Sequence, residues 1–233
     1  LIKEYNKKDP NALIREELKK CYGTGGKDGC YKKAAQLFYD QNGLKETLSL
    51  LKQNEDQQEV YARCHEVTNY LSRFEYEKQK NIAGVYAVCD STCHGGCYHG
   101  TLEAYLKANP KVEFAKICGK LEDYQKPLEF YECLRGLGHA AMFVTDMELK
   151  QSLTLCDSIQ DQIHKEKCFT GVFMENSSSA TSFDHQSKYI KAEDPFYPCN
   201  SLEEKYLEVC WQYQSSYFSI ITEQDWKKIA NMC

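Results

Sequence analysis

The segment CDSTCHGGCYHG, residues 89–100, gathers three cysteines, two histidines and three glycines into twelve positions. Three chemistries use such a set: covalent haem attachment, metal ligation and disulfide stapling. Haem c is attached through C-x2-C-H, whereas Cys89, Cys93 and His94 give C-x3-C-H, one residue too long, so haem is not expected. Zinc knuckles are built on C-x2-C, and that spacing occurs nowhere in the chain. A covalent cysteine nucleophile needs a free, activated thiol, and a serine nucleophile wants a G-x-S-x-G elbow, which is absent. Catalysis is therefore not the leading expectation. Thirteen cysteines in 233 residues point instead to a disulfide framework, and hence to a secreted, periplasmic or cell-surface protein. The sequon at Asn176 is a glycosylation candidate compatible with that compartment.

The histidines keep a metal reading open. His65, His94, His99 and His139 all fall near the starts of helices that the sequence predicts, where adjacent segments could bring them together. His99 and His139, with Glu103 and Glu175, could supply a two-histidine, carboxylate site for zinc or copper. The metal set expected from this is His99, His139 and Glu175, although no H-x3-H or H-E-x2-H pair supports it.

These residues are placed by a repeat. Six segments begin with cysteine and continue with apolar residues three or four apart, as a core-facing helix requires. They start at Cys30, Cys64, Cys97, Cys133, Cys168 and Cys210, separated by 34, 33, 36, 35 and 42 residues. A second set ends with cysteine, at Cys21, Cys89, Cys118, Cys156 and Cys233; residues 43–53 take the same place without one. The unit is a helical hairpin, and the expected fold is an all-α solenoid of about six hairpins in one domain over 1–233. The hairpins fall near 10–41, 43–73, 78–108, 111–143, 146–175 and 199–218, with a partial unit at 222–233 and an inserted loop at 176–199.

Cysteines that end one helix and begin the next meet at the hairpin turn. The repeat thus pairs Cys21 with Cys30, Cys89 with Cys97, Cys118 with Cys133, Cys156 with Cys168 and Cys199 with Cys210. Cys64 and Cys93 remain to tie the second unit to the third. Cys233 ends a helix with no successor, and is expected to be free, to bridge another chain or to pair in a longer array. Gly100, Gly136 and Gly171 each sit three residues after a helix-opening cysteine, and read as crossing points with the preceding helix. The position before them (Lys32, Glu66, His99, Arg135, Thr170 and Gln212 across the units) is polar every time, and should form a ridge facing solvent or a ligand. Glu66, His99, Glu103, Arg135, His139 and Glu175 are the groove candidates.

The period and cysteine placement over residues 10–233 resemble the helical-repeat superfamily of tetratricopeptide and Sel1-like repeats, and most of all cysteine-rich Sel1-like proteins with stapled hairpins. The tetratricopeptide Trp and Leu-Gly pair and the Gly-rich Sel1 turn are missing. The resemblance implies protein or peptide binding on a concave face. A subunit of a surface filament, self-associating laterally or through Cys233, is the other structural alternative. A net charge of −5 with 29 basic residues argues against nucleic acid. No 18-residue apolar run is present to span a bilayer, and no signal-peptide pattern opens the sequence.

Overall fold

The computed structural model describes residues 9–26, 29–124, 126–181 and 186–232. Among these, every regular element is helical. The chain divides between Tyr105 and Leu106 into two compact units.

In the first unit, α1 (Pro10–Gly23) is opened by Asp9, whose side chain accepts the Asn11 N–H, and by Pro10 in its first turn. Helix α2 (Cys30–Gln53) joins two segments expected to be separate helices. They run on through a kink at Gly43, where φ 71° and ψ 179° suit glycine alone. The short α3 (Gln58–Tyr61) then leads into α4 (Cys64–Gln79). Helix α5 (Ile82–Tyr86) is five residues long, and α6 (Gly96–Ala108) follows the CDSTCHGG corner. Leu18, Phe38, Leu51, Val67 and Leu71 are among the buried apolar residues of this unit. Tyr39 of α2 donates its hydroxyl to Glu75 of α4 at 2.8 Å. Burial, and then that hydrogen bond, hold its pKa well above the ordinary tyrosine range, so it stays a donor.

The second unit contains α7 (Pro127–Val144), α8 (Leu149–Asp157), α9 (Gln162–Ser178), α10 (Glu204–Ile221) and α11 (Trp226–Met232). Helices α7 and α9 pack along most of their length, with α8 and α10 also against α9. Leu137, Met142, Leu149, Phe169 and Phe173 are buried.

Two helices expected to precede cysteines are much shorter than their segments. The stretch before Cys118 forms only a 3-10 turn, Phe114–Lys116. Pro110 lacks an N–H and restricts Asn109, so α6 stops at Ala108. Before Cys89, α4 closes on Lys80 in a left-handed conformation, leaving room for one turn. The expected loop at 176–199 also begins late: α9 continues to Ser178 and a 3-10 turn runs Ser179–Thr181. Residues 182–185 of that loop lie outside the described residues, as does Cys233. The rest is anchored: Tyr189 donates to Glu148 (3.1 Å), and Gln214 donates to the Pro195 and Tyr197 carbonyls (2.7 and 3.0 Å).

Six cysteine pairs stand at disulfide distance with Cα atoms 5.3–5.8 Å apart: Cys21–Cys30, Cys64–Cys93, Cys89–Cys97, Cys118–Cys133, Cys156–Cys168 and Cys199–Cys210. These are the partners that the repeat assigns. Closing loops of this length stabilises by about 2.5–3.6 kcal/mol each in the chain-entropy account.

The cysteines expected to open helices do so at α2, α4 and, beside Gly96, α6, but Cys133, Cys168 and Cys210 lie inside α7, α9 and α10, which start earlier; backbone crossings follow Cys97 and Cys168. A Cβ on Gly100 of α6 would lie 2.1 Å from the Asn69 carbonyl oxygen of α4. One on Gly171 of α9 would lie 1.8 Å from the Arg135 oxygen of α7, and one on Gly138 of α7 1.8 Å from the Cys168 oxygen of α9. Contacts further along rise together on both helices, His65 with Gly96 and Asn69 with Gly100, Phe130 with His164 and His139 with Glu175, so each pair runs parallel. Gly96 makes a further approach to α4, with a Cβ 2.6 Å from the His65 oxygen.

Two outcomes follow from this packing. Thiol titration of the denatured, unreduced protein should find at most one free thiol of the thirteen; six or more would refute the stapled fold. Gly171→Ala should cost about 3 kcal/mol or more in denaturant unfolding, because backbone must move. Gly23→Ala, with nothing within 4 Å of the added methyl, should change stability by about 1 kcal/mol or less.

Candidate functional site

The CDSTCHGG corner is built from backbone that few residues adopt. Cys93, His94 and Gly95 take three consecutive left-handed conformations, with φ of 54°, 56° and 74°. Such a run persists only where its surroundings over-determine it. Here Cys93 is tied to Cys64, its N–H donates to Glu55 Oε1 at 2.6 Å, and the Thr92 N–H donates to Asp90 Oδ1 at 2.9 Å. Tyr98 donates its hydroxyl to the Cys89 carbonyl at 2.9 Å. Glu55, Cys64 and Cys93 cluster closely enough to suggest metal ligands, but the two sulfurs are spent on each other and the carboxylate on the Cys93 N–H.

The corner aims one carbonyl at a histidine. The Cys93 oxygen lies 2.9 Å from His65 Nδ1, in the first turn of α4. A carbonyl only accepts, so Nδ1 carries the proton and Nε2 presents its lone pair. That Nε2 lies 3.3 Å from Nδ1 of His99, on α6. The two rings stand edge to face with centroids 5.0 Å apart. His65 is half-buried and His99 is fully enclosed. His94, by contrast, is exposed, with its ring edge against Tyr61.

Two polar pairs sit one turn beyond the glycine crossings. Counting on from Gly100 and Asn69 reaches Glu103 and Arg73, which form an ion pair with the carboxylate buried. Counting on from Gly171 and Arg135 reaches Glu175 and His139, whose Oε2 and Nδ1 are 2.7 Å apart and both buried. Arg135 itself is held at 3.6 Å from Glu132, and Glu66 at 3.6 Å from Arg63.

These placements correct the expected ridge. Glu66 and Arg135 are partly exposed and Lys32 and Gln212 exposed, but His99 is enclosed, as are Glu103, His139 and Glu175. The expected solvent-facing line is interrupted because glycine brings the helices too close for a groove between them. Of the expected metal set, His139 and Glu175 meet within the second unit, and His99 meets His65 within the first. Arg73 was not anticipated. Its signal was its position four residues after Asn69, opposite a glutamate three after Gly100. The glycosylation candidate also changes character. Asn176 lies inside α9 at 1% exposure, and its Oδ1 accepts the Ser187 hydroxyl at 2.6 Å. A glycan there would have to displace that packing.

No protein-family model, curated protein or solved structure matches the chain. The resemblance to tetratricopeptide and Sel1-like repeats thus rests on period and staple placement, and the class that the structure supports is an all-helical, disulfide-rich protein.

The Arg73–Glu103 pair should behave as a buried ion pair. Glu103→Met alone should destabilise by about 1–3 kcal/mol, because it leaves a part-buried guanidinium without its anion. Adding Arg73→Met should recover most of that loss. Additive losses in the two single variants would show that the charges do not act as a pair.

Proposed function

We propose that this chain is a disulfide-stabilised helical-repeat scaffold of an oxidising, extracellular compartment, an α-solenoid whose task is to bind a protein or peptide. The parallel stacking of α4 with α6 and of α7 with α9, each at a glycine crossing, supports a repeat of stacked hairpins. Six stapled cysteine pairs support the compartment. Among the described residues no helix is long and apolar enough to cross a membrane.

The observation that carries the binding role is the apolar surface of the second unit. Trp226, the first residue of α11, is 73% exposed, and Ile220 and Ile221 at the end of α10 are exposed beside it in sequence. Trp211 on α10 is 37% exposed, and its ring packs at 6.2 Å from Phe196, which in turn meets Phe218 at 5.7 Å. Exposed tryptophans on helices of a stapled framework contribute contact area with little ordering cost, as binding hot spots do. A rigid framework carrying such side chains suits recognition better than turnover.

Trp211 and Trp226 are the only tryptophans of the chain, so its intrinsic fluorescence reports this surface. Peptides selected from a displayed library on the oxidised protein should shift that emission to the blue on binding. Trp211→Ala or Trp226→Ala should weaken them by about tenfold or more, as hot-spot truncations do. Selection that yields only peptides indifferent to both substitutions would overturn this surface as the binding face.

A further inference from the structure

We propose that His65 and His99 are two ligands of a divalent-metal site in the first unit, with zinc as the fitting ion. The geometry is that of a prepared pair. In tetrahedral zinc sites, metal–nitrogen bonds of about 2.0–2.1 Å put neighbouring ligand nitrogens about 3.3–3.4 Å apart. Nε2 of His65 and Nδ1 of His99 are 3.3 Å apart. A linear two-coordinate ion with similar bonds would need them about 4 Å apart, so the spacing favours a tetrahedral ion.

The surroundings of the pair are those that metal-binding histidines use. Such a histidine almost always donates its other ring N–H to a carbonyl or carboxylate, which fixes the tautomer and raises the basicity of the ligating nitrogen. His65 does this through Nδ1 to the Cys93 carbonyl at 2.9 Å. That carbonyl is itself immobilised by the Cys64–Cys93 bridge, by Glu55 on the adjoining N–H, and by the left-handed run at Cys93, His94 and Gly95. The helix that carries His99 is fixed against the helix that carries His65 at Gly96 and Gly100. Asn69 adds to this: with its amide oriented to satisfy its neighbours, its nitrogen donates to the His65 and Gly96 carbonyls at 3.2 and 2.5 Å. Both ligands therefore stand on elements whose relative position cannot drift. Half-buried His65 gives the ion a route in, and water or a further donor completes the coordination.

The test uses the full oxidised chain, free of any histidine tag and stripped with chelator. Titration with cobalt(II) should give the visible bands of a tetrahedral ion at one equivalent, and zinc should abolish them by competition. His65→Ala and His99→Ala should each weaken binding by about tenfold or more, on the scale of losses from disturbed metal shells. His164→Ala, on α9 of the second unit, should leave it unchanged. Binding should also weaken on acidification, because a protonated imidazole cannot ligate. Zinc should raise the melting temperature of the wild type and not that of His65→Ala. Circular dichroism accompanies every variant; if enclosed His99→Ala fails to fold, half-exposed His65→Ala carries the comparison. Absence of one-equivalent binding in the wild type would reduce the pair to an internal hydrogen bond and overturn the site. Undiminished binding in folded His65→Ala would place the ion elsewhere, with the same consequence.

Discussion

Backbone-to-backbone contact at glycine is the constraint from which the rest of this protein follows. At Gly100 and Gly171 the absent Cβ is what lets one helix reach the carbonyls of its neighbour. Protein interiors are packed too densely to absorb an extra methyl there without backbone movement. Because each glycine lies three residues after a bridged cysteine, the staple and the crossing act on the same turn. The disulfide anchors a point on the helix three residues before the crossing, and the glycine fixes how near that helix lies to the one before. Everything further along the helix, polar or apolar, inherits that register.

The buried polar pairs are a consequence of this register. One turn past a crossing the side chains of two parallel helices come side by side, and there Arg73 meets Glu103 and His139 meets Glu175. Enclosing such groups costs desolvation that the pairing only partly offsets, so they are a weak source of net stability. Their effect is on specificity. Sliding either helix by a turn would separate Glu103 from Arg73 or Glu175 from His139 while leaving the carboxylate enclosed, whereas an apolar interface would tolerate the slip. In these parallel helix pairs the polar contacts thus discriminate between registers that oil-like contacts alone would leave close in energy.

Much of the fold was legible because cysteine and glycine carry positional meaning. Five pairings followed from the period at which cysteines recur and Cys64–Cys93 from the two left over, and the crossings at Gly100 and Gly171 from their fixed distance after a cysteine. The helix lengths did not follow, since a period says where a unit recurs and not how its residues are shared. Pro110 and the left-handed Lys80 removed most of two expected helices, and Gly43 let two others run into one through a kink. The candidate site was half legible. His99, Glu103, His139 and Glu175 were singled out by position, but polar residues at a repeated place were taken for a solvated ridge. The glycines that brought the helices together also closed that ridge. Asn176 misled for a related reason: a sequon is a surface signal only if its backbone is a loop, and here the helix continues through it.

The CDSTCHGGCYHG segment shows how structural and chemical demands can be met by one corner. Its cysteines pair outward and inward, Cys93 to Cys64 and Cys89 to Cys97, so none is left to ligate. What they do is hold a carbonyl. The Cys93 oxygen determines the His65 tautomer, and that tautomer turns a lone pair toward His99. Replacing Cys93 by serine would keep much of the polarity of the corner yet remove its tether, letting the left-handed run relax and the carbonyl turn away. The disulfide is therefore coupled to the state of a histidine whose ring it does not touch, and reduction of one staple would alter the electronic preparation of the pair as well as the stability of the fold.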